Sequence, residues 1–139
     1  MDGMAAVVEN PVLKDLNKTL QAAIVALDTY SSAVQQKATV RLAPNGKPNR
    51  AALDDHQHLA HGLAWLVTYT ETLRETANWA KRLEADGKLG DIEALLAQIL
   101  FGRYLSDIVG GIAMNQGEVI RPHEFDAQDE ALELSLIHI

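Results

Sequence analysis

The sequence predicts an all-α fold, an antiparallel up-down bundle of about three helices, on three observations. Apolar residues recur at spacings of three and four over long stretches, turn-forming residues punctuate those stretches, and no long stretch alternates strictly as a half-buried strand would. With 139 residues and 47% hydrophobic composition, the chain is long enough for one compact domain with a core and too short for two.

Residues 1–10 are expected to be a flexible N-terminus and 11–122 the helical bundle region. Asn10-Pro11 reads as an N-cap followed by proline at the first helical position, where the missing N–H would be unpaired in any case. From there Leu13, Leu16, Leu20, Ala23, Ile24, Leu27, Val34 and Ala38 form one apolar stripe. The run Ala43 to Pro48 contains two prolines and a glycine and ends that helix in a loop. Asn49 caps a second helix, which carries Leu53, Leu59, Leu63, Leu66, Leu73, Ala77, Ala80 and Leu83 to a stop at Gly87, a natural left-handed C′ residue. Its span of about 36 residues, about 54 Å at 1.5 Å per residue, is long for a globular helix, and Gly62 is the expected kink. After the short connection Lys88-Leu89-Gly90, Asp91 caps a third helix with apolar residues at Ile92, Leu95, Leu96, Ile99, Leu100, Leu105, Ile108, Val109 and Ile112. So short a connection favours antiparallel pairing with the second helix. Gly102 suggests close packing on that neighbour, and Gly110-Gly111 a helix end. Met114 to Pro122 reads as irregular, with Val119-Ile120 too short a β-branched cluster to signal a sheet. Residues 123–133 read as the start of a further segment, with helix from Asp126.

The last six residues, Leu134-Ser135-Leu136-Ile137-His138-Ile139, are what one reading frame of a common transposase sequencing adapter, CTGTCTCTTATACACATC, translates to. Residues 134–139 are therefore read as adapter read-through and set aside from fold reasoning. On that reading the natural protein continues past Glu133 with residues of its own.

Twelve Lys and Arg stand against nineteen Asp and Glu, a formal charge of −7. This charge opposes attraction to nucleic acid or to anionic membranes, and neither is expected as a partner. The chain has no cysteine, which rules out disulfides and thiolate metal sites. With no leader-like N-terminus and no run of about 18 apolar residues, a cytoplasmic location is the expectation.

The most conspicuous chemistry lies in Asp54-Asp55-His56-Gln57-His58-Leu59-Ala60-His61. On one helix Asp54, His58 and His61 share a face at i, i+4 and i+7, and a zinc or iron ion uses such ligands. The i to i+7 separation is about 10 Å along the axis, too far for Asp54 and His61 to share one ion easily, and no Glu-x-x-His motif is present. Polar helix surface with a satisfied interhelical hydrogen bond or two is the favoured reading, and metal ligation the alternative. Trp65, Tyr69, Trp79, Tyr30 and Tyr104 read as core and interface anchors, not as a cofactor box. Glu71, Glu75 and Glu84 interleave with Arg74, Lys81 and Arg82 as on a solvated helix face. Ser31, Ser32 and Ser106 lack a nucleophile elbow, and the glycines do not follow a strand as a dinucleotide loop requires. No catalytic, cofactor-binding or metal-ligating residue is assigned.

His61-Gly62-Leu63-Ala64-Trp65-Leu66-Val67-Thr68-Tyr69, Phe101-Gly102-Arg103-Tyr104-Leu105 and the run Gly110 to Glu118, of pattern Gly-Gly-Ile-x-Met-x-Gln-Gly-Glu, carry a resemblance over about residues 50 to 122. The chain resembles the N-terminal helical region of long bacterial acyl-CoA dehydrogenases. The resemblance implies a parent flavoenzyme that binds FAD and oxidises the α,β bond of an acyl-CoA thioester, with its catalytic glutamate and FAD contacts in later domains. It further implies that this segment is non-catalytic and packs on the remainder of the parent chain or on a homo-oligomer partner. An independent helical interaction module and a metal-binding helical bundle are the competing readings.

Overall fold

The computed structural model describes residues 9–137 and 139. The flexible terminus expected over 1–10 therefore lies, for residues 1–8, outside the described residues. In order, the chain forms α1 (Leu16–Leu42), α2 (Arg50–Asp55), α3 (Gln57–Ala85), α4 (Asp91–Gly110), β1 (Ile112–Asn115), β2 (Glu118–Ile120), a 3₁₀ turn (Pro122–Phe125) and α5 (Gln128–Ser135). The expectation of a mostly helical chain is met. A bare three-helix bundle does not describe it, because α2, α5 and an antiparallel hairpin are added to the three long helices.

The first helix starts later than Asn10-Pro11 suggests. The Asn10 side chain does accept from the Val12 amide, but the Gln98 side chain on α4 then takes the next backbone groups. It accepts from Leu13 N–H at 2.8 Å and donates to Pro11 C=O at 3.0 Å. The segment is thereby held against α4 through a bend and a turn, and α1 begins only after Asp15, which sits in the left-handed region. The stripe Leu20, Ala23, Leu27, Tyr30, Val34 and Ala38 is buried as its spacing requires. Asn17 near one end of α1 donates to Ala80 C=O and Glu84, and Asp28 further along pairs with Arg74, so α1 and α3 run in opposite directions.

Asn49 caps α2 by accepting from Ala52 N–H at 2.8 Å. The long second helix expected from the sequence then breaks at His56 (φ −126°, ψ 37°), not at Gly62. Gly62 lies inside α3, against Ile120 of the hairpin. Gly87 (φ 65°) ends α3 as expected, with Lys88 N–H reaching back to Leu83 C=O at 2.7 Å. On α4 the buried residues are Ala94, Ala97, Phe101, Leu105 and Ile108. Ile92, Leu96 and Ile99, among the apolar positions noted on this helix, point outward. Gly102 makes no close approach to α3; a Cβ there would meet only Ile139 O, at 3.7 Å.

The stretch expected to be irregular folds into the hairpin. Ile112 pairs with Ile120, and both side chains are buried. Strands of four and three residues are too short for alternation to distinguish them from a loop. Helix α5 packs on α1 and α4, and Lys37 and Arg41 of α1 secure the turn before it through Glu130 and Asp126. Leu134, within the adapter-matching tail, is buried in this contact.

Candidate interaction surface and the His58 clamp

His58, in the first turn of α3, is held between two carboxylates from separate elements. Its Nδ1 lies 3.0 Å from Glu118 Oε1 at the start of β2, and its Nε2 lies 2.9 Å from Glu124 Oε1 in the 3₁₀ turn. The remaining carboxylate oxygens are also satisfied. Glu118 Oε2 accepts from Asn115 Nδ2 at 3.0 Å, and Glu124 Oε2 accepts from Arg121 N–H at 2.7 Å. The hydrogen bond to Glu118 is the largest influence on His58 and, joined by the one to Glu124, outweighs the opposing effect of burial and holds the His58 pKa above its ordinary 6.5. Glu118 is correspondingly held low, first by its bond to His58. Burial pushes Glu124 up, but the Arg121 amide and His58 together outweigh it and hold it low.

An imidazolium with both N–H groups donating has no lone pair for a metal ion. His61 is likewise engaged: it accepts the Trp65 indole N–H on Nε2 at 3.0 Å and places Nδ1 3.6 Å from Glu118. Asp54, the third residue of the sequence pattern, lies beyond the break at His56 and faces Arg50 at 3.7 Å. The break thus removes Asp54 from the helical face assumed for the three residues. Among the described residues, no three His, Asp or Glu side chains converge as metal ligands. The favoured reading of polar surface with a satisfied hydrogen bond or two describes His58, except that its partners come from the hairpin and the following turn and not from another helix. Glu118, Glu124 and Asn115 were missed by sequence reasoning; Asn115-Gln116-Gly117-Glu118, which makes the hairpin turn at Gly117 (φ 75°), was the available signal.

The aromatic residues act as anchors. Tyr30 is fully buried, and Tyr69 of α3 stacks on Tyr104 of α4 with centroids 4.4 Å apart and planes 10° from parallel. Trp65 meets Tyr69 edge-on at 6.0 Å. Arg74, read as part of a solvated face, in fact crosses to Asp28 as well as bonding Glu71 at 3.2 Å, and its guanidinium holds the Asp28 carboxyl below its ordinary value. Ser31 is buried and accepts from Gln35, while Ser106 is exposed; neither touches a base.

The glycines do not form a flavin cradle. Gly62 receives Ile120, Gly111 (φ 141°) follows α4, and Gly117 turns the hairpin.

One outer face of the helical body is apolar. Ile92, Leu96 and Ile99 follow one another at i, i+4 and i+7 on the outer side of α4 and are 71%, 58% and 64% exposed. Beside them a groove of about 390 Å³ between α3 and α4 is lined by Thr72, Glu75, Thr76, Trp79, Leu96, Ala97 and Leu100. A second groove near Gly102 has its outer wall made by Leu134, Ser135, Ile137 and Ile139, so its shape depends on the adapter-matching tail. Among the described residues no helix is long and apolar enough to cross a membrane.

No family model matches the chain. It is similar to (2S)-methylsuccinyl-CoA dehydrogenase of Cereibacter sphaeroides, with 40% identity over 124 residues, which are 89% of this chain and 22% of that protein. The matched length exceeds the stretch 50–122 that carried the resemblance in the sequence. The resemblance to acyl-CoA dehydrogenases thus holds over nearly the whole of this chain, which spans only about a fifth of the length of the enzyme it matches.

Proposed function

We propose that this helical unit is a non-catalytic accessory segment of a longer acyl-CoA dehydrogenase-like flavoprotein, and that it packs on the catalytic body through the Ile92, Leu96 and Ile99 face of α4. The observation that carries the reading is the 40% identity along 89% of the chain to a stretch only 22% as long as the related enzyme. Most of such an enzyme lies outside this unit, and among the described residues no glycine-rich loop follows a strand into a helix as nucleotide binding requires. Oxidation of the α,β bond of an acyl-CoA thioester, with FAD as electron acceptor, is assigned to that remaining part, in the cytoplasm.

The apolar face supports the packing role physically. Burying a large aliphatic side chain stabilises by about 1.5–3 kcal/mol, so three in a row on one helix face favour a covered state. The catalytic body is the chosen occupant because it would be tethered to this unit in the same chain, and tethering raises effective concentration.

The test is to read the gene past codon 133 and purify the whole protein alongside the 139-residue chain. Flavin absorbance is expected in the former and not in the latter. Leu96→Asp with Ile99→Asp should leave the isolated chain folded, yet hasten protease cleavage between this segment and the body of the whole protein. A natural stop codon soon after Glu133, or a flavin band carried by the short chain, would overturn the proposal. A short chain that dimerises by light scattering, and becomes monomeric with Leu96→Asp, would place a second copy on the face instead.

A further inference from the structure

We propose that the pocket between α1 and α5, lined by Thr29, Tyr30, Asp129, Glu130 and Glu133, binds a single organic cation, an alkylammonium or a guanidinium. Two buried polar atoms there lack partners. Tyr30 is 1% exposed and its hydroxyl has no hydrogen-bond partner. Glu130 is half satisfied: Oε1 receives Lys37 Nζ at 2.6 Å, while Oε2 is buried and unpartnered. Unpaired buried polar atoms are costly and uncommon, and the phenol and the carboxylate oxygen on this one pocket both have lone pairs left for a donor from outside the chain.

The charge around them selects the sign of that donor. Asp129, Glu130 and Glu133 supply three carboxylates, and Lys37, which bonds Glu130 and Asp126 C=O, neutralises only one of them. Lys37 holds the Glu130 carboxyl low, so it is ionised at neutral pH. Burial, and then the Glu130 charge, push the Tyr30 phenol up from its ordinary 10, so it remains a neutral hydroxyl. A neutral hydroxyl accepts an N–H while a carboxylate oxygen accepts another, which suits an ammonium or a planar guanidinium fork. A bare metal ion suits it less. The pocket measures about 330 Å³, and among the described residues no three acidic or histidine groups converge on one point as metal ligation requires.

A Lys or Arg side chain of a polypeptide lying on α5 and a free amine share this chemistry. The probes that separate them are agmatine, butylammonium and acetyl-arginine-amide, each titrated into the 139-residue chain against sodium chloride at matched ionic strength. Amide and Tyr30 ring NMR shifts are the readout. Saturable shifts centred on Thr29, Tyr30 and residues 129–133 are expected with at least one organic cation and not with sodium. Tyr30→Phe, which removes only the hydroxyl, and Glu133→Gln should each weaken binding several-fold, and should do so without altering the far-UV spectrum. Tighter binding of acetyl-arginine-amide than of agmatine assigns a polypeptide side chain as the source, and the reverse order a free cation; both support the site. Shifts that follow ionic strength alone, shifts spread over the acidic surface, or binding indifferent to Tyr30→Phe would overturn it. An absence of saturable shifts would leave the pocket to water and overturn it equally. Should Glu133→Gln unfold the chain, Tyr30→Phe alone decides.

Discussion

Gly62→Ala tests the contact that joins α3 to the hairpin. A Cβ built at Gly62 would fall 2.1 Å from Ile120 Cδ1, 3.0 Å from Cγ2 and 3.1 Å from Cγ1. Carbon atoms in good contact sit about 3.5–4.0 Å apart, so all three atoms of one side chain lie inside the allowed distance. The Cδ1 clash could be relieved by rotating χ2, but Cγ2 is fixed by χ1, and Ile120 is fully buried opposite Ile112. Relief then requires the hairpin to move. Against this, alanine in a helix interior is favoured over glycine by up to about 1 kcal/mol. Overpacking a filled site costs about 1–3 kcal/mol, so the variant should be less stable by up to about 2 kcal/mol net. Ile120→Val removes Cδ1 and alone should cost about 0.5–1.5 kcal/mol. Combined with Gly62→Ala it should cost less than the sum, because each change relieves what the other strains. Urea midpoints for the four proteins at equal slope measure this directly. A Gly62→Ala chain as stable as wild type, or strict additivity in the double variant, would refute the assignment of this glycine to close packing.

Gly102→Ala should do the opposite and stabilise by up to about 1 kcal/mol in the same urea assay, since the new methyl meets only Ile139 O at 3.7 Å and the helix gains propensity. His58→Ala should lower the midpoint, by more at pH 6 than at pH 9. A raised folded pKa gives stability that is full below the ordinary 6.5 and is lost as pH rises through the folded value, while the lowered Glu118 and Glu124 lose theirs as pH falls through their own folded values below 4.5. An equal loss at both pH values would show that no protonated imidazole bridges the two carboxylates. Gln98→Leu removes both hydrogen bonds to residues 11–13, at about 1 kcal/mol each, and should speed amide exchange at Leu13 without altering exchange at Leu27 in the core.

The parts of this fold that could be read in the sequence are those fixed by neighbours along the chain. The body of α1, the cap at Asn49 and the stop at Gly87 follow from spacing and from side chains within a few positions, and all are found. The misreadings share a cause. At Asn10-Pro11 the local cap forms, but Gln98, distant in sequence, captures the next backbone groups before a helix can start. Gly62, and not Gly102, is the close-packed glycine because Ile120 arrives from a hairpin whose return path is set by tertiary packing, and helix propensity carries no trace of it. The clamp at His58 was half legible: the histidines stood out, but their carboxylate partners lie 60 and 66 residues away.

Helix α4 shows most clearly what apolar periodicity leaves undecided. It carries apolar residues on more than one face, and periodicity gives no means of ranking those faces. Close approach to α1, α3 and α5 favours the face with Ala94 and Ala97, whose small side chains let backbones come near, and Phe101, Leu105 and Ile108 fill the wider end. Ile92, Leu96 and Ile99 are thereby left outside, the reverse of what folding of this unit alone would select. Large aliphatic side chains on the outer face with alanines beneath them are what a helix at an interface between two cores requires. That exposed aliphatic face is thus the strongest physical support for the proposed packing against the rest of a longer protein.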